Sequence, residues 1–269
     1  MMITAAPSTG ETFSKRAARA AYGWGQSQSW SDAIALLRLA ADADEPQARR
    51  QLDLLTQAPI AELLALPRLE RLSSLAPVGA YRGFAPPGFA EWLIDCAAQR
   101  LLSSSANDVG AGELSRTSRD AAFMPEHRDV IVAIMQEKAA LLVGVPVEYH
   151  EPPHVISYEP GQEFGLHADF IDPRVPEYHQ ELRVLGQRIA TVVTYLNEDF
   201  EGAETVFPYA QVKFRGKIGD AIVWSNVLPD GSPDHNTQHA GLPPTRGRKW
   251  ILSQWVRSNP FPYGPADRI

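Results

Sequence analysis

Apolar residues in the first quarter of the chain recur with the period of an α-helix. Two stripes have the i, i+3, i+4 or i+7 spacing that puts side chains on one helical face. The pattern predicts a small helical region over residues 1–75, in which two helices and a short Asp/Pro turn resemble one tetratricopeptide-type unit. Because an array needs about three such repeats, a helical layer packed on a larger domain is the competing interpretation. The stripes are Ala33, Leu36, Leu37 and Ala40, followed by Ala48, Leu52 and Leu55.

Two more helices are predicted in the stretch before residue 144. Apolar periodicity over residues 89–102 and 126–143 favours helices there, and Gly144 followed by Pro146 is a typical helix end. Between the helical region and these helices, residues 72–87 contain several prolines and glycines. Such a composition predicts a linker or the entry to a domain.

After Gly144 the pattern changes to that of β-strands. The segments "HVISYE", "RIATVVTYL", "GDAIVW" and "KWILSQWV" are short and rich in β-branched and aromatic residues, with Gly, Pro, Asp and Asn clusters between them. No helix-length periodic segment separates them, so the pattern favours an antiparallel sandwich or jelly roll over a parallel sheet. In the last segment, alternation puts Lys249, Ile251, Ser253 and Trp255 on one face.

The length and composition are those of a globular protein with one large domain. The 269 residues are 44% hydrophobic and 21% charged, which is ordinary for a globular chain. We predict a helical region at 1–75, a main domain at 76–259 and a C-terminal tail at 260–269. The fold class expected is α+β, with a jelly-roll core flanked by helices.

Charge and hydropathy limit the partners and the compartment. The net charge of −7 argues against a nucleic-acid partner, which would favour a basic face. No run is long enough to span a bilayer, and the first 20 residues lack the apolar core of a secretory signal. Cys96 is the single cysteine, so no disulfide forms within the chain. These features predict a cytoplasmic protein without membrane or nucleic-acid partners, and the oligomeric state stays open.

The stretch "GLHADF" contains a possible metal site. His167 and Asp169 are two residues apart, so an extended backbone puts both side chains on one face. A site with two histidines and one carboxylate, as in non-haem iron enzymes, needs another imidazole. His235 and His239, both before the last strand, are the best candidates. His239 is favoured, because Lys249 follows it by ten positions and would supply a cation for a cofactor with two carboxylates.

Several motifs in order resemble the prolyl 4-hydroxylase-like Fe(II)/2-oxoglutarate dioxygenases. "YEPGQEFGLHAD" resembles the Tyr-x-x-Gly-Gln stretch that precedes His-x-Asp in that family. "GQRIATVVTYLNEDFEGAETVFP" resembles its central hairpin, and "GDAIVW" and "HAGLPPTRGRKWILSQWVR" resemble its last strands. Upstream, "RTS" at 116–118 also fits, and the resemblance covers residues 77–258. The chain departs from the family at Ala203, where a second glycine is usual, and at Phe164, where tyrosine is common.

The resemblance implies both the fold and the cofactors. It implies a double-stranded β-helix that holds Fe(II) through His167, Asp169 and His239, with 2-oxoglutarate and O2 as cosubstrates and ascorbate supporting turnover. Lys249 would bind the distal carboxylate of 2-oxoglutarate. The hydroxyl groups of Tyr158 and Thr205 would donate hydrogen bonds to the same molecule.

The substrate is less constrained by the sequence. Arg188 resembles a family arginine near the substrate, Trp255 would stack on the substrate, and Arg257 is a weaker candidate, because an arginine at a strand end is usually solvated. Residues 170–187 have the length and polarity of a mobile lid. We expect hydroxylation of an unactivated C–H bond in a proline-like or other free amino acid, or in a short peptide.

Three alternatives to this expectation stay open. The first is a peptidyl-prolyl 4-hydroxylase that acts on a protein target. The second is a non-catalytic jelly-roll protein that uses its N-terminal helices to bind a partner. The third is a cupin that holds Mn or Zn and does not bind 2-oxoglutarate.

Overall fold

The structure, a computed structural model, describes residues 11–103 and 117–263. Its backbone divides into two compact units. Among the described residues, the helical unit consists of residues 11–65, 125–135 and 263, and the sheet unit consists of residues 66–103, 117–124 and 136–262. The N-terminal boundary predicted at residue 75 stays a prediction. The predicted tail at 260–269, and the "RTS" motif from 116, fall partly outside the described residues.

The helical unit is built on the two predicted stripes. α1 packs on α2 and α2 packs on α3. The first stripe is buried, with Ala33, Leu37 and Ala40 all at 0% exposure, as its spacing predicts. The helices of this part of the chain are α1 (Phe13–Tyr22), α2 (Trp30–Asp42), α3 (Ala48–Leu55) and α4 (Ile60–Leu64).

The helix predicted at 126–143 begins four residues later than expected. Pro125–His127 is a short 3-10 helix, and α6 is Val130–Val143. The Asp129 carboxylate accepts a hydrogen bond from the Val132 amide at 2.9 Å, which caps the α-helix at this point. The buried Val130 amide donates to the side-chain carbonyl of Gln51 at 2.9 Å, so α3 satisfies a first-turn donor that has no partner within the helix.

The sheet unit contains antiparallel strands in a jelly-roll arrangement. The order is β1-β2-β11-β7-β14-β5-β4-β3 in the large sheet, β10-β9-β12-β6 in the second sheet, and β13-β8 in a small ribbon. The strands are β1 (Leu69–Arg71), β2 (Val78–Tyr81), β3 (Leu102–Ser103), β4 (Arg119–Ala122), β5 (His154–Tyr158), β6 (Phe164–His167), β7 (Arg188–Tyr195), β8 (Glu201–Gly202), β9 (Thr205–Phe207), β10 (Val212–Phe214), β11 (Ala221–Ser225), β12 (His239–Gly241), β13 (Pro244–Arg246) and β14 (Lys249–Arg257).

The core lies between the two larger sheets. One cluster of buried side chains combines Ile156, Tyr195 and Ile251 from the large sheet with Phe164 and Phe207 from the second sheet. Every strand pair in the described residues is antiparallel, as the absence of crossover helices predicts. The four predicted strand segments correspond to β5, β7, β11 and β14. The α+β jelly-roll fold is therefore confirmed.

Two local predictions need correction, and the segment predicted to be a lid, 170–187, contains a short helix. The proposed linker at 72–87 contains β2, which pairs with β11 inside the large sheet. Helix α5 ends at Ala98 rather than at residue 102, because the chain then turns into β3 (α5 is Phe89–Ala98). The polar segment 170–187 is partly helical, with a 3-10 turn at Pro176–Tyr178 followed by α7 (His179–Leu185).

No helix in the described residues has both the length and the apolar character needed to cross a membrane.

Candidate active site

Two strands of the second sheet bring a carboxylate and two imidazoles together. His167 is the last residue of β6, Asp169 follows it by two positions, and His239 is the first residue of β12. His167 and His239 are direct partners in the antiparallel register. His167 Nε2 lies 3.6 Å from Asp169 Oδ1, and His239 Nε2 lies 3.8 Å from Asp169 Oδ2. Ligand atoms of all three lie within 4.8 Å of one another, close enough for a metal ion to bridge them.

Hydrogen bonds orient the two imidazoles. Nδ1 of His167 lies 2.8 Å from the Gly165 carbonyl, and Nδ1 of His239 lies 3.1 Å from the Thr237 carbonyl. Because a carbonyl oxygen only accepts, each Nδ1 carries the proton. Each Nε2 therefore presents its lone pair toward Asp169, as a metal ligand requires.

A second chain of hydrogen bonds orients the carboxylate. The Thr191 hydroxyl donates to Asp169 Oδ2 at 2.7 Å, and the Asn226 amide donates to the Thr191 hydroxyl at 2.9 Å. All three side chains are buried. Partners of this kind hold a metal-binding carboxylate in one rotamer.

The site sets the protonation states that a metal needs. Burial, with the nearby His167 imidazole, lowers the pKa of His239 to about 4. Burial alone would raise the pKa of Asp169, but His239, His167 and Arg188 outweigh burial and hold the pKa below its usual range. At neutral pH, therefore, His239 is neutral and Asp169 is ionised, which are the forms that coordinate metal.

Aromatic rings surround the imidazoles. The Phe164 ring stacks on His167 with centroids 3.5 Å apart, and the Trp224 ring meets His239 at 4.6 Å. Phe164 is the position where the family often has tyrosine, so an apolar ring and not a hydroxyl covers His167 here. By contrast His235, the competing third ligand, is exposed in a 3-10 turn and contacts the ring of Phe170. The structure brings His239 to the cluster and leaves His235 outside it.

Lys249 is a buried ammonium group at the other end of the same cavity. Its Nζ donates to the Ala203 carbonyl at 2.8 Å and lies 4.9 Å from the Tyr195 ring centroid. Burial lowers its pKa to about 7, and Glu204 opposes this effect only in part. No carboxylate in the described residues forms an ion pair with it. A buried, unpaired ammonium is costly unless an anion joins it, so the site fits a ligand carboxylate.

Tyr158 and Thr205, the other residues predicted to contact the cosubstrate, line the cavity with Lys249. Tyr158 is the direct partner of Lys249 in the β5–β14 register. The Thr205 hydroxyl lies 2.9 Å from the Tyr195 hydroxyl, which in turn donates to the Phe214 carbonyl. Because the tyrosine proton goes to that carbonyl, Thr205 donates to Tyr195 in this arrangement.

Trp255 is a wall residue of the cavity, and Arg188 packs against its ring. Trp255 lines the cavity, on the face of β14 that alternation predicts. The Arg188 guanidinium lies 4.7 Å from the Trp255 ring centroid and forms two hydrogen bonds with Glu151, of 2.6 and 2.8 Å. Arg188 is therefore held against Trp255 by a buried carboxylate.

Arg257, at the end of β14, is buried, whereas an arginine at a strand end is usually solvated. It was expected to be solvated, yet only 2% of it is exposed, because it bonds to Glu151 and, at 2.6 Å, to Glu181 of α7. Thr191 and Asn226 are two further site residues that were not predicted from the sequence. Thr191 and Val193 are two apart on β7 and so share its inward face. This alternation could have identified Thr191 from the sequence. For Asn226 and Glu151 no local pattern predicts the contact.

A larger cavity lies elsewhere in the sheet unit. It has a volume of about 550 Å3 and is lined by residues of β1, β2 and β11 and by the end of α6. Arg71 is its one charged lining residue among those described. Its described lining contains no His, Cys, Asp or Glu, so size alone does not make it the catalytic site.

The residues fit both iron and 2-oxoglutarate. Two imidazoles and one carboxylate form the donor set typical of non-haem Fe(II) oxygenases. The buried Lys249 at the end of the cavity matches an acid with a second carboxylate. The chemistry of the donor set therefore agrees with the cofactors implied by the sequence resemblance.

Comparison with known proteins supports the same family. A sequence model of the 2OG-Fe(II) oxygenase superfamily matches residues 153–257. Probable prolyl 4-hydroxylase 6 of Arabidopsis thaliana is 30% identical over 217 residues, which cover 72% of this chain and 73% of that protein. Prolyl 4-hydroxylase 2 of the same plant is 29% identical over 221 residues, covering 72% and 71%.

A solved structure is similar over much of the chain. The viral collagen prolyl hydroxylase of Paramecium Bursaria Chlorella virus-1, in its 2OG complex, matches with a TM-score of 0.53 and 27% identity, covering 68% of this chain and 96% of that one. These matches leave no support for a non-catalytic jelly-roll protein or for a Mn or Zn cupin. The chain belongs to the prolyl 4-hydroxylase-like members of the 2OG-Fe(II) oxygenase superfamily and is an Fe(II)- and 2-oxoglutarate-dependent dioxygenase.

Proposed function

We propose that this enzyme hydroxylates the ring of a proline residue in a short peptide. The observation that carries the proposal is the order of groups along one face of β14. Lys249 lies at one end of that face and Trp255 at the other, with the His167–Asp169–His239 cluster on the opposite wall of the same cavity. A cosubstrate and a ring-bearing substrate would therefore reach the metal from two ends.

In this proposal each predicted site residue has one role. His167, Asp169 and His239 hold Fe(II), and Lys249 binds the distal carboxylate of 2-oxoglutarate. The support for the first role is the buried triad with both Nε2 atoms turned inward. The support for the second is a buried ammonium group whose hydrogen-bond partner in the described residues is the Ala203 carbonyl.

Tyr158 and Thr205 supply hydroxyl groups beside Lys249. Both line the cavity, which supports contact with the same cosubstrate. For Thr205 to donate to a ligand, its hydroxyl must turn away from Tyr195. The Tyr195 hydroxyl keeps its bond to the Phe214 carbonyl in either case, so this rotation leaves the core intact.

The end of the cavity near Trp255 favours a peptide as the substrate. The Trp255 ring offers an apolar surface for a proline ring, backed by Arg188. Its indole Nε1 is buried and has no hydrogen-bond partner in the described part of the chain. A peptide carbonyl would satisfy this donor, whereas a hydrocarbon would not.

The residues of the chain bind the metal and the cosubstrate, orient the metal-binding side chains and exclude water from them. Bound Fe(II) and 2-oxoglutarate supply the oxidising chemistry that inserts one oxygen atom of O2 into a C–H bond, while 2-oxoglutarate becomes succinate and CO2. Thr191 and Asn226 keep the Asp169 carboxylate in its rotamer. The Phe164 and Trp224 rings keep the imidazoles dry. The relatives named prolyl 4-hydroxylase support proline as the target.

The test is a succinate-coupled screen with two substrate classes. Purified protein is supplied with Fe(II), ascorbate and 2-oxoglutarate, and with either free proline and other amino acids or proline-containing peptides. We expect succinate and hydroxyproline from short peptides. Turnover of free proline alone would replace the peptide by an amino acid, and turnover of a folded protein alone would favour a peptidyl-prolyl 4-hydroxylase with a protein target.

A further inference from the structure

The neighbouring strand β5 carries a ladder of alternate side chains, of which Tyr158 and Ile156 line the same cavity. Tyr158 is paired with Lys249, and Ile156 is paired with Ile251. The next position on that face is His154, paired with Ser253. Side chains two apart on a strand face the same way, so His154 continues the ladder away from Lys249 and toward Trp255.

His154 forms a dyad with Asp120 at the Trp255 end of this face. Its Nδ1 lies 2.7 Å from Asp120 Oδ2, and its ring meets the Trp255 ring edge-on with centroids 5.4 Å apart. Asp120 comes from β4, where it is the register partner of Ile156. Strands β4 and β5 therefore place the Asp120 carboxylate and the His154 imidazole beside Trp255, the residue that would hold the substrate.

One nitrogen of this imidazole is available to a ligand. Because the ionised carboxylate only accepts, Nδ1 carries the proton and Nε2 of the neutral ring is left with a lone pair. Nε2 has no hydrogen-bond partner among residues 11–103 and 117–263. The side chain is 20% exposed, so it is held in place yet reachable. The mechanism proposed above does not use this dyad.

We propose that His154 and Asp120 form a substrate subsite that accepts a hydrogen bond from a backbone N–H of the bound peptide. The inference rests on the proposed function and adds a preference to it: the residue next to the target proline carries an N–H. Asp120 is the positioning residue, because it fixes the ring and the tautomer, and His154 Nε2 makes the contact. A carboxylate on Nδ1 also makes Nε2 a stronger acceptor.

The chemistry selects an N–H donor over the other polar groups of a peptide. A carbonyl cannot donate to a lone pair, and the negative charge of Asp120 behind the ring disfavours an anionic group. The Trp255 indole N–H on the same wall has no hydrogen-bond partner in the described residues and suits a peptide carbonyl. The wall therefore offers one acceptor and one donor, which is the pattern of a peptide backbone.

The test compares two ligands that differ only in backbone N–H groups. One is an alternating Pro-Ala octapeptide with acetyl and dimethylamide ends. The other is its depsipeptide, in which lactate replaces each alanine. Binding is measured by calorimetry without O2, on protein loaded with Fe(II) and 2-oxoglutarate, so no turnover occurs. We expect the wild-type protein to bind the peptide about tenfold more tightly than the depsipeptide, the effect of roughly one hydrogen bond.

Variants identify the residue responsible. His154→Phe keeps a ring but removes the acceptor, so the preference should fall to about one. His154→Gln retains an amide oxygen as an acceptor, so it should keep part of the preference for the peptide over the depsipeptide. Asp120→Ala should reduce that preference. His127→Phe, at an exposed histidine in a 3-10 turn, is the matched control and should keep the full preference.

The results separate the subsite from the proposed function. Equal affinity of wild-type protein for the two ligands, or an undiminished preference in well-folded His154→Phe and His154→Gln, would overturn the subsite. Peptide binding with the expected preference but no hydroxyproline in air would overturn the proposed function and leave the subsite standing.

Discussion

Lys249 is the residue whose charge should control cosubstrate binding. Burial lowers its pKa to about 7, so the amine loses its proton as the pH rises above that value. The 2-oxoglutarate carboxylate is attracted only to the protonated form. The dissociation constant for 2-oxoglutarate should therefore rise above about pH 7, by up to about tenfold per pH unit.

An anaerobic titration over the range from about pH 6 to about pH 8.5 checks this dependence. Lys249→Ala should bind 2-oxoglutarate more weakly by about 2–5 kcal/mol and lose the pH dependence, while retaining iron. Lys217→Ala, at an exposed lysine, should behave as wild type. A flat wild-type profile together with unchanged affinity in Lys249→Ala would rule out this role.

Ala203 stores backbone strain at the position where the family usually has glycine. Its φ is +57°, in the left-handed region that alanine avoids. Ala203→Gly should raise the free energy of unfolding by about 0.5–1 kcal/mol, because relief of strain exceeds the added entropy of the unfolded chain. Denaturant unfolding measures this. Ala97→Gly, within α5, should instead destabilise by about 1 kcal/mol, and a loss of stability in both variants would contradict the strain argument.

At the residue scale, the residues proposed to bind metal and cosubstrate were easier to predict from the sequence than the residues that orient them. The His-x-Asp spacing predicted that His167 and Asp169 share one face, and strand alternation predicted that Lys249 and Trp255 share another. The family resemblance, and not spacing or alternation, implied that these residues surround one site, and all four line the same cavity. The contact between Asn226 and Thr191 joins residues 35 positions apart, and no short-range pattern carries it. The burial of Arg257 depends on its ion pair with Glu151, which lies 106 positions earlier, so no short-range pattern predicted it either.

At the element scale, an ion pair ties α7 to β14. Glu181 Oε1 accepts from Arg257 at 2.6 Å, and the Gly186 carbonyl accepts from Arg257 at 3.0 Å. Glu181 is about one-third exposed, so the pair is worth roughly 1 kcal/mol. Glu181→Ala should therefore speed amide hydrogen exchange over residues 179–185 about fivefold and raise KM for the peptide.

Hydrogen-exchange mass spectrometry with Glu177→Ala as the control tests this attachment. Glu177 is exposed in the preceding 3-10 turn, so its removal should leave exchange in α7 unchanged. Equal exchange in wild type and Glu181→Ala would mean that other contacts hold α7.

The strands were easier to predict than the connections. β5, β7, β11 and β14 have strong alternating or β-branched patterns, and their pairing partners could be inferred as antiparallel. β2 was hidden in a stretch with Pro and Gly, because its burial comes from pairing with β11 and not from its own composition. The short helix in 170–187 has too few residues for a periodic signal.

At the scale of the whole molecule, the helical unit should be needed for folding. Within this unit Gln51 caps the first turn of α6, and the Arg128 guanidinium lies over the Tyr22 and Tyr263 rings. Removing residues 1–65 takes away the cap and Tyr22. We expect solubility and peptide hydroxylation to fall together, as for a packing layer.

Expression of the truncated chain, followed by the peptide assay, tests this prediction. A soluble truncated protein that hydroxylates short peptides at the wild-type rate would contradict the packing role. If such a protein also lost activity on a folded target, the helices would recognise that target instead.

The most direct test of the iron-centred mechanism follows the oxygen atom itself. Wild-type protein with Fe(II), 2-oxoglutarate and a proline-containing peptide should produce succinate, and the peptide should gain the mass of one oxygen on proline in equal amount. His167→Ala, Asp169→Ala and His239→Ala should abolish both products and lose bound iron, while His235→Ala keeps both. Activity retained in His239→Ala and lost in His235→Ala, or peptide oxidation that does not require 2-oxoglutarate, would contradict the account.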